Sequence, residues 1–129
     1  MFKSTGILHY SINPYKLVLD ADQDLSDYYR SLIPKYIKVN KQMYGAHISL
    51  VRNETPEKLS FWNKYEGKQI SFTYENVIYN DSVYYWLNCY CEEFEFIRME
   101  LGLTKNSLVT KSPDGRHTFH MTLGNLKNK

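Results

Sequence analysis

Two short segments of the chain, residues 46–50 (AHISL) and residues 119–123 (FHMTL), repeat one pattern of residue types. Each segment reads apolar, histidine, apolar, hydroxyl, apolar. In an extended strand, residues two positions apart point to the same face, so the histidine and the hydroxyl share one face while the apolar residues point into a core. Both segments are therefore predicted to be strands with one buried face and one polar face.

The polar side chains of these two segments are the candidate catalytic residues, namely His47, Ser49, His120 and Thr122. Within each segment the imidazole and the hydroxyl lie about 6.5–7 Å apart along the strand. If the two strands are neighbours, all four groups converge on one cleft. A histidine suits proton transfer at neutral pH, and a hydroxyl can hydrogen-bond the oxygens of a phosphate as negative charge builds there. Four such groups around one cleft suit acid–base chemistry that needs no metal and no cofactor.

A third segment, His9-Tyr10-Ser11-Ile12, also fits the pattern. The spacing alone therefore does not select which two of the three histidines would form a catalytic pair.

Hydrophobic periodicity and turn residues predict the remaining elements. Extended segments are expected at residues 7–12, 15–20, 46–52, 69–79, 83–90 and 119–123. Helices are expected from Asp22 or Asp24 to about Leu32, from Thr55 through Trp62, and over residues 92–101, with a polar loop over residues 104–116. Strands and helices mixed in this order indicate an α+β or α/β fold, in one domain spanning residues 1–129.

Composition excludes several classes of protein. The 129 residues carry 16 basic and 14 acidic side chains, which argues against a polyanion-coating protein and, because a long RNA favours a basic stripe, favours a small substrate. The sequence has two cysteines and no apolar run near the roughly 18–20 residues of a membrane span. A cytoplasmic protein without a membrane partner is expected.

The two motifs, His47-x-Ser49 and His120-x-Thr122, resemble those of the 2H phosphoesterase superfamily. The resemblance implies a compact, two-lobed α+β fold, with antiparallel sheets flanked by helices and a central cleft between the lobes. It favours the pair His47 and His120, because His9 lies where such enzymes have their first strand. The chain is shorter than most members, and it has serine where threonine is commoner in the first motif.

The resemblance also implies an activity, a metal-independent phosphodiesterase acting on a cyclic nucleotide or cyclic oligonucleotide. The superfamily includes phage enzymes that degrade cyclic oligonucleotide signals, and a viral member would act in the host cytoplasm. Arginines near the cleft would attract a phosphate, and aromatic rings would stack on a base. The substrate-binding candidates are Tyr10, Tyr15, Arg52, Arg116 and Trp86, with Tyr84 beside Trp86 in the predicted hairpin.

Three alternatives stay open at this point. The first is an RNA 2′,3′-cyclic phosphodiesterase that processes the ends of short RNA. The second is a non-catalytic module that binds nucleotides or RNA, and the third is a small interaction protein in which the repeated motif is accidental. The sequence does not assign the acid and base roles of the two histidines, and it gives no oligomeric state.

Overall fold

The structure is a computed structural model, and it describes residues 1–105 and 119–127. In chain order these residues form β1 (Phe2–Ser11), β2 (Lys16–Ala21), α1 (Gln23–Ser31), β3 (Asn40–Lys41), β4 (His47–Arg52), a 3₁₀ turn (Leu59–Phe61), β5 (Gln69–Tyr74), β6 (Tyr79–Asn80), β7 (Tyr84–Tyr90), α2 (Glu92–Glu100) and β8 (Phe119–Asn125). Neither α-helix of the described ranges has the length and the apolar composition that a bilayer span requires.

Six of the strands close into an antiparallel barrel. Its order is β8-β4-β2-β1-β5-β7, and a ladder between β7 and β8 closes the ring. The short strands β3 and β6 are added to β8 and β7. The expected α+β fold with two lobes flanked by helices is therefore wrong. The motif strands β4 and β8 belong to one continuous sheet, so no cleft between two lobes separates them.

The core fills the inside of the barrel because apolar residues alternate with polar ones along the strands. Its fully buried members include Leu8, Leu17, Leu19, Ile48, Leu50, Leu87, Met121 and Leu123. Each such side chain contributes about 1.5–3 kcal/mol of transfer free energy. The outer face of the same strands is left for polar residues, and the candidate site lies there.

The two α-helices extend the core at opposite ends of the barrel. From α1, the ring of Tyr29 packs edge-on at 5.9 Å from Tyr74, at the end of β5. From α2, the ring of Phe94 packs at 5.1 Å from Phe119, at the start of β8. Both helices begin and end near the predicted residues. Asp22 caps α1, and Gly102, with φ of +80°, follows the end of α2.

The predicted helix at Thr55–Trp62 is wrong, because only the 3₁₀ turn forms there. The residues on either side of this turn are not helical, with φ and ψ of −107° and 72° at Lys58 and of −65° and 140° at Trp62, so the turn is not extended into a helix. Trp62 instead packs edge-on against Tyr10 and Tyr15, with ring centroids at 4.9 and 5.2 Å. The indole is thus held by the barrel rather than by helical neighbours.

The predicted extended segment 69–79 is interrupted. Strand β5 ends at Tyr74, and the hairpin with β7 is made by the two-residue strand β6. Asp81 shapes this turn, because its Oδ1 accepts hydrogen bonds from the backbone N–H groups of Val83 and Tyr84 at 2.8 and 2.6 Å. Most of the predicted 104–116 loop, including Arg116, lies outside the described residues.

Candidate functional site

The two sequence motifs lie on neighbouring strands of the barrel. Strand β4 pairs with β8 antiparallel, with Ile48 opposite Met121. This register places each histidine opposite the hydroxyl of the other motif, as the pairs His47–Thr122 and Ser49–His120. Such opposite residues have Cβ atoms about 4.5–5.5 Å apart, and diagonal neighbours such as His47 and His120 are separated by about 7–8 Å. The motifs are related by a local two-fold axis between them.

A bulge follows the motif in each strand. In β4, Leu17 pairs with Val51 and Val18 with Ser49, so Leu50 is an extra residue. In a regular strand, residues three positions apart point to opposite faces. The extra residue of a bulge brings them to the same face. Arg52, three residues after Ser49, therefore points to the polar face with the motif.

The bulge in β8 does the same for a second residue. Tyr85 pairs with Gly124 and Trp86 with Thr122, so Leu123 is the extra residue. Asn125, three residues after Thr122, is thereby returned to the outer face. The local two-fold relation extends beyond the motifs to Arg52 and Asn125.

The outer face beneath the β3–β4 connection holds a cavity of about 1090 Å³. The cavity brings together all four predicted catalytic residues and Arg52. Its lining comprises Lys16, Val18, Asp20, Asn40, Lys41, Gln42, Met43, Tyr44, His47, Ser49, Arg52, Tyr84, His120, Thr122, Asn125 and Lys127.

In His47, the ring nitrogen that donates a hydrogen bond can be identified. His47 Nδ1 lies 3.0 Å from the carbonyl oxygen of Gly45. A carbonyl only accepts hydrogen bonds, so Nδ1 carries the proton in the neutral ring and Nε2 is left with the lone pair. Nε2 is therefore the nitrogen of His47 that can exchange a proton with a ligand.

Trp86 is not available to a ligand. It pairs with Thr122 on the neighbouring strand, but only 1% of its surface is exposed. Its indole N–H donates to Oδ1 of the buried Asn88 at 2.9 Å. Asn88 in turn is opposite His120 in the ladder. The predicted stacking role of Trp86 is not supported, and this residue instead packs beside the second motif.

Tyr10 and Tyr15 lie outside the cavity lining and pack around Trp62. The hydroxyl of Tyr10 accepts a hydrogen bond from the backbone N–H of Tyr65 at 3.3 Å. Burial raises the pKa of this hydroxyl to about 12. The two rings have packing partners of their own, so the structure does not bring these two candidates to the motifs.

Positive charge is concentrated at the cavity. Among the described residues, its lining has four basic side chains, Lys16, Lys41, Arg52 and Lys127, and one carboxylate, Asp20. Residues 1–105 and 119–127 include 13 basic and 13 acidic side chains, so 9 basic and 12 acidic ones of these ranges lie outside the lining. The near-neutral composition of the chain thus conceals a locally basic surface.

Two tyrosine rings in the lining each have a lysine ammonium nearby. The Lys16 Nζ lies 5.9 Å from the ring centroid of Tyr44, and the Lys127 Nζ lies 4.9 Å from that of Tyr84. An aromatic face beside an ammonium suits a base next to a phosphate. Tyr84 is one of the candidates predicted from the sequence, whereas no feature of the sequence marks Tyr44.

The wall that carries Lys41 and Tyr44 depends on one glycine. Strand β3 pairs with the end of β8, where Gly124 is opposite Lys41. A Cβ at Gly124 would lie 2.4 Å from the carbonyl oxygen of Asn40. Only glycine therefore allows β3 to approach this closely.

For several residues of the cavity lining, the sequence shows at most an alternation of side chains, and nothing in it indicates that they border the motifs. Lys16, Val18 and Asp20 alternate along β2 and share a face, but only the pairing of β2 with β4 shows that this face borders the motifs. Lys127 and Tyr44 reach the cavity through contacts between distant parts of the chain. Local patterns do not encode such pairings.

Comparison with known protein families, curated proteins and solved structures finds no match to this chain. Within the described ranges, no group of three or more His, Cys, Asp or Glu side chains has the arrangement of a metal site.

Proposed function

We propose that this protein is a phosphodiesterase that cleaves a cyclic oligonucleotide with two histidines and without a metal. The observation that carries the proposal is the local two-fold arrangement of two histidine–hydroxyl pairs in one basic cavity. A site that only bound a nucleotide would need the positive charge but not two matched imidazoles.

The reaction needs one proton acceptor and one proton donor. One imidazole takes the proton from the attacking hydroxyl as the new P–O bond forms. The other imidazole gives its proton to the leaving ribose oxygen as the old P–O bond breaks. With water as the nucleophile, the products are a phosphomonoester and a free hydroxyl. With a neighbouring ribose 2′-hydroxyl, the products are a 2′,3′-cyclic phosphate and a free hydroxyl.

The positions of the four groups suit this chemistry. The imidazoles of His47 and His120 are diagonal neighbours across the ladder, so a phosphorus atom between them has one ring on the attacking side and the other on the leaving side. The hydroxyls of Ser49 and Thr122 occupy the other diagonal. They would hydrogen-bond the non-bridging oxygens as negative charge builds in the transition state.

Basic and aromatic groups on both sides of the motifs favour an internal phosphodiester. Because β4 and β8 are antiparallel, Arg52 and Asn125 lie at opposite ends of the site, roughly 10 Å beyond Ser49 and Thr122 at about 3.3 Å per residue. Lys16 and Tyr44 accompany the Arg52 end, and Lys127 accompanies the Asn125 end. A 2′,3′-cyclic phosphate has a base on one side only, whereas a cyclic oligonucleotide has nucleotides on both.

The resemblance to the 2H phosphoesterase superfamily supports the same chemistry through the motifs alone, since the barrel is not the two-lobed fold that the resemblance implied. A cytoplasmic location and a viral role against a host nucleotide signal belong to this proposal. The viral role is suggested by the small size of the chain and by the phage members of that superfamily.

The proposal is tested by offering the protein cyclic dinucleotides, cyclic trinucleotides, linear dinucleotides and 2′,3′-cyclic mononucleotides in the presence of EDTA. Products are separated by ion-pair chromatography. Cleavage of at least one cyclic oligonucleotide, undiminished by EDTA, is the expected result. Cleavage of 2′,3′-cyclic mononucleotides alone would favour RNA end processing. Cleavage that requires a divalent metal, or no cleavage at all, would overturn the proposal.

A further inference from the structure

The third histidine motif has a place of its own in the structure. His9 lies on the outer face of β1 with its ring between two carboxylates. Its Nδ1 is 2.8 Å from Glu66 Oε2, and its Nε2 is 3.2 Å from Asp20 Oδ2. Each ring nitrogen therefore lies within contact distance of a carboxylate oxygen, so the His9 ring bridges Asp20 and Glu66.

Glu66 is itself fixed in place. Its Oε1 accepts a hydrogen bond from the backbone N–H of Tyr10 at 2.7 Å. This bond, followed by the bond to His9, lowers the pKa of the Glu66 carboxyl below its usual value. Glu66 therefore anchors the His9 ring from the side away from Asp20.

Asp20 is a carboxylate of the cavity lining. It pairs with His47 across the β2–β4 ladder, close to where the proposed phosphate would lie. A free carboxylate there would repel an anionic ligand and compete for His47. In the structure its Oδ2 is bound instead by His9, on the side of β2 that faces β1.

We propose that His9 and Glu66 are positioning residues of the anion site. They hold the Asp20 carboxylate on the β1 side of the cavity, away from the proposed phosphate. The basic residues of the lining then act on the ligand with less opposition from that carboxylate. This inference deepens the proposed function, because it rests on phosphate binding between His47 and His120.

The test is a titration with inorganic pyrophosphate at low ionic strength. Binding is measured by calorimetry and by the shifts of the imidazole NMR signals of His47 and His120. His9→Ala is expected to weaken binding about three- to tenfold, because Asp20 is released into the cavity. Asp20→Asn is expected to bind at least as tightly as the natural protein. The double variant His9→Ala with Asp20→Asn is expected to regain the affinity of Asp20→Asn.

Recovery of pyrophosphate affinity in the double variant distinguishes the positioning role of His9 from a purely structural one. A loss of affinity that came from unfolding would not be reversed by Asp20→Asn, and thermal melting of each variant checks this point. Ser11→Ala, two residues along the same strand face, is the matched control and should bind like the natural protein. Glu66→Gln should show a smaller loss than His9→Ala, because it loosens His9 without removing it.

Three outcomes would overturn the inference. They are unchanged affinity in His9→Ala, a double variant as weak as His9→Ala alone, and no pyrophosphate binding by the natural protein. The suppression pattern combined with no turnover of any nucleotide would support this inference and contradict only the proposed function.

Discussion

Ile48 and Met121 stand opposite each other across the β4–β8 ladder, and both side chains are fully buried. This one pairing sets the register of the two motifs. Because side chains alternate along a strand, burying these two residues in the barrel obliges the flanking histidines and hydroxyls to face outward together. A slip of one residue would turn the catalytic candidates into the core, so core packing protects the geometry of the site.

The hydroxyls of the motifs are expected to act on the transition state. Ser49→Ala and Thr122→Val each remove one hydrogen-bond donor with little change of volume. Each should lower kcat roughly 10- to 100-fold while KM changes less, because the bond strengthens as charge builds on the phosphate oxygens. Steady-state kinetics on a cleaved cyclic oligonucleotide measures both constants. An unchanged kcat in both variants would remove the hydroxyls from the mechanism.

Arg52 is expected to contribute to binding rather than to the chemical step. Arg52→Ala should raise KM several-fold and reduce the dependence of binding on salt concentration, because one cation is lost from the cavity. Lys105→Ala removes the same charge at a residue that pairs with Glu95 outside the cavity. Equal effects of the two substitutions would mean that net charge, rather than the position of Arg52, governs affinity.

The sequence predicts which side chains of the two motifs share a face, and this has a physical reason. Alternation within each motif specifies which side chains share a face, and that information is local. The closure of the barrel depends on the ladder between β7 and β8, which joins the interrupted hairpin to the C-terminal strand. No local pattern encodes that pairing, so the expected lobed fold was wrong while the face bearing the motifs was identified.

The bulges in β4 and β8 are a second feature that the sequence does not predict. Regular alternation would have placed Arg52 on the opposite face from Ser49, and it is the extra residue Leu50 that reverses this. Bulges follow from the fit of two strands to one another and to the curvature of a barrel. For the same reason, the sequence does not indicate that Asn125 faces the cavity.

Gly124 is expected to be required for the wall of the cavity. In Gly124→Ala the new methyl group would meet the backbone oxygen of Asn40 at 2.4 Å, so β3 must move. Such overpacking costs about 1–3 kcal/mol of unfolding free energy. Thermal denaturation measures the loss, and the amide NMR signals of Asn40 and Lys41 report the displacement. Signals that stay in place, with unchanged stability, would contradict the close approach of β3.

The anchoring of Glu66 predicts a specific loss of stability in acid. Its pKa is lowered in the folded state from the ordinary 4.5, chiefly by the Tyr10 N–H and then by His9. The stabilisation is therefore present above the unfolded pKa and is lost as the pH falls through the folded pKa. Glu66→Gln should melt about 1–3 °C lower than the natural protein at pH 6, and the difference should shrink towards pH 3. A difference that is independent of pH would contradict this account.

The two imidazoles are the centre of the account, and single-turnover cleavage of a cyclic oligonucleotide in EDTA tests them most directly. His47→Ala and His120→Ala are each compared with the natural protein and with Ser11→Ala, while ligand binding is followed separately. Each histidine variant is predicted to lose about 10²- to 10⁴-fold in rate and to retain ligand binding, with Ser11→Ala unchanged. Either histidine variant cleaving at a rate near that of the natural protein would contradict the claim that these two side chains perform the reaction together.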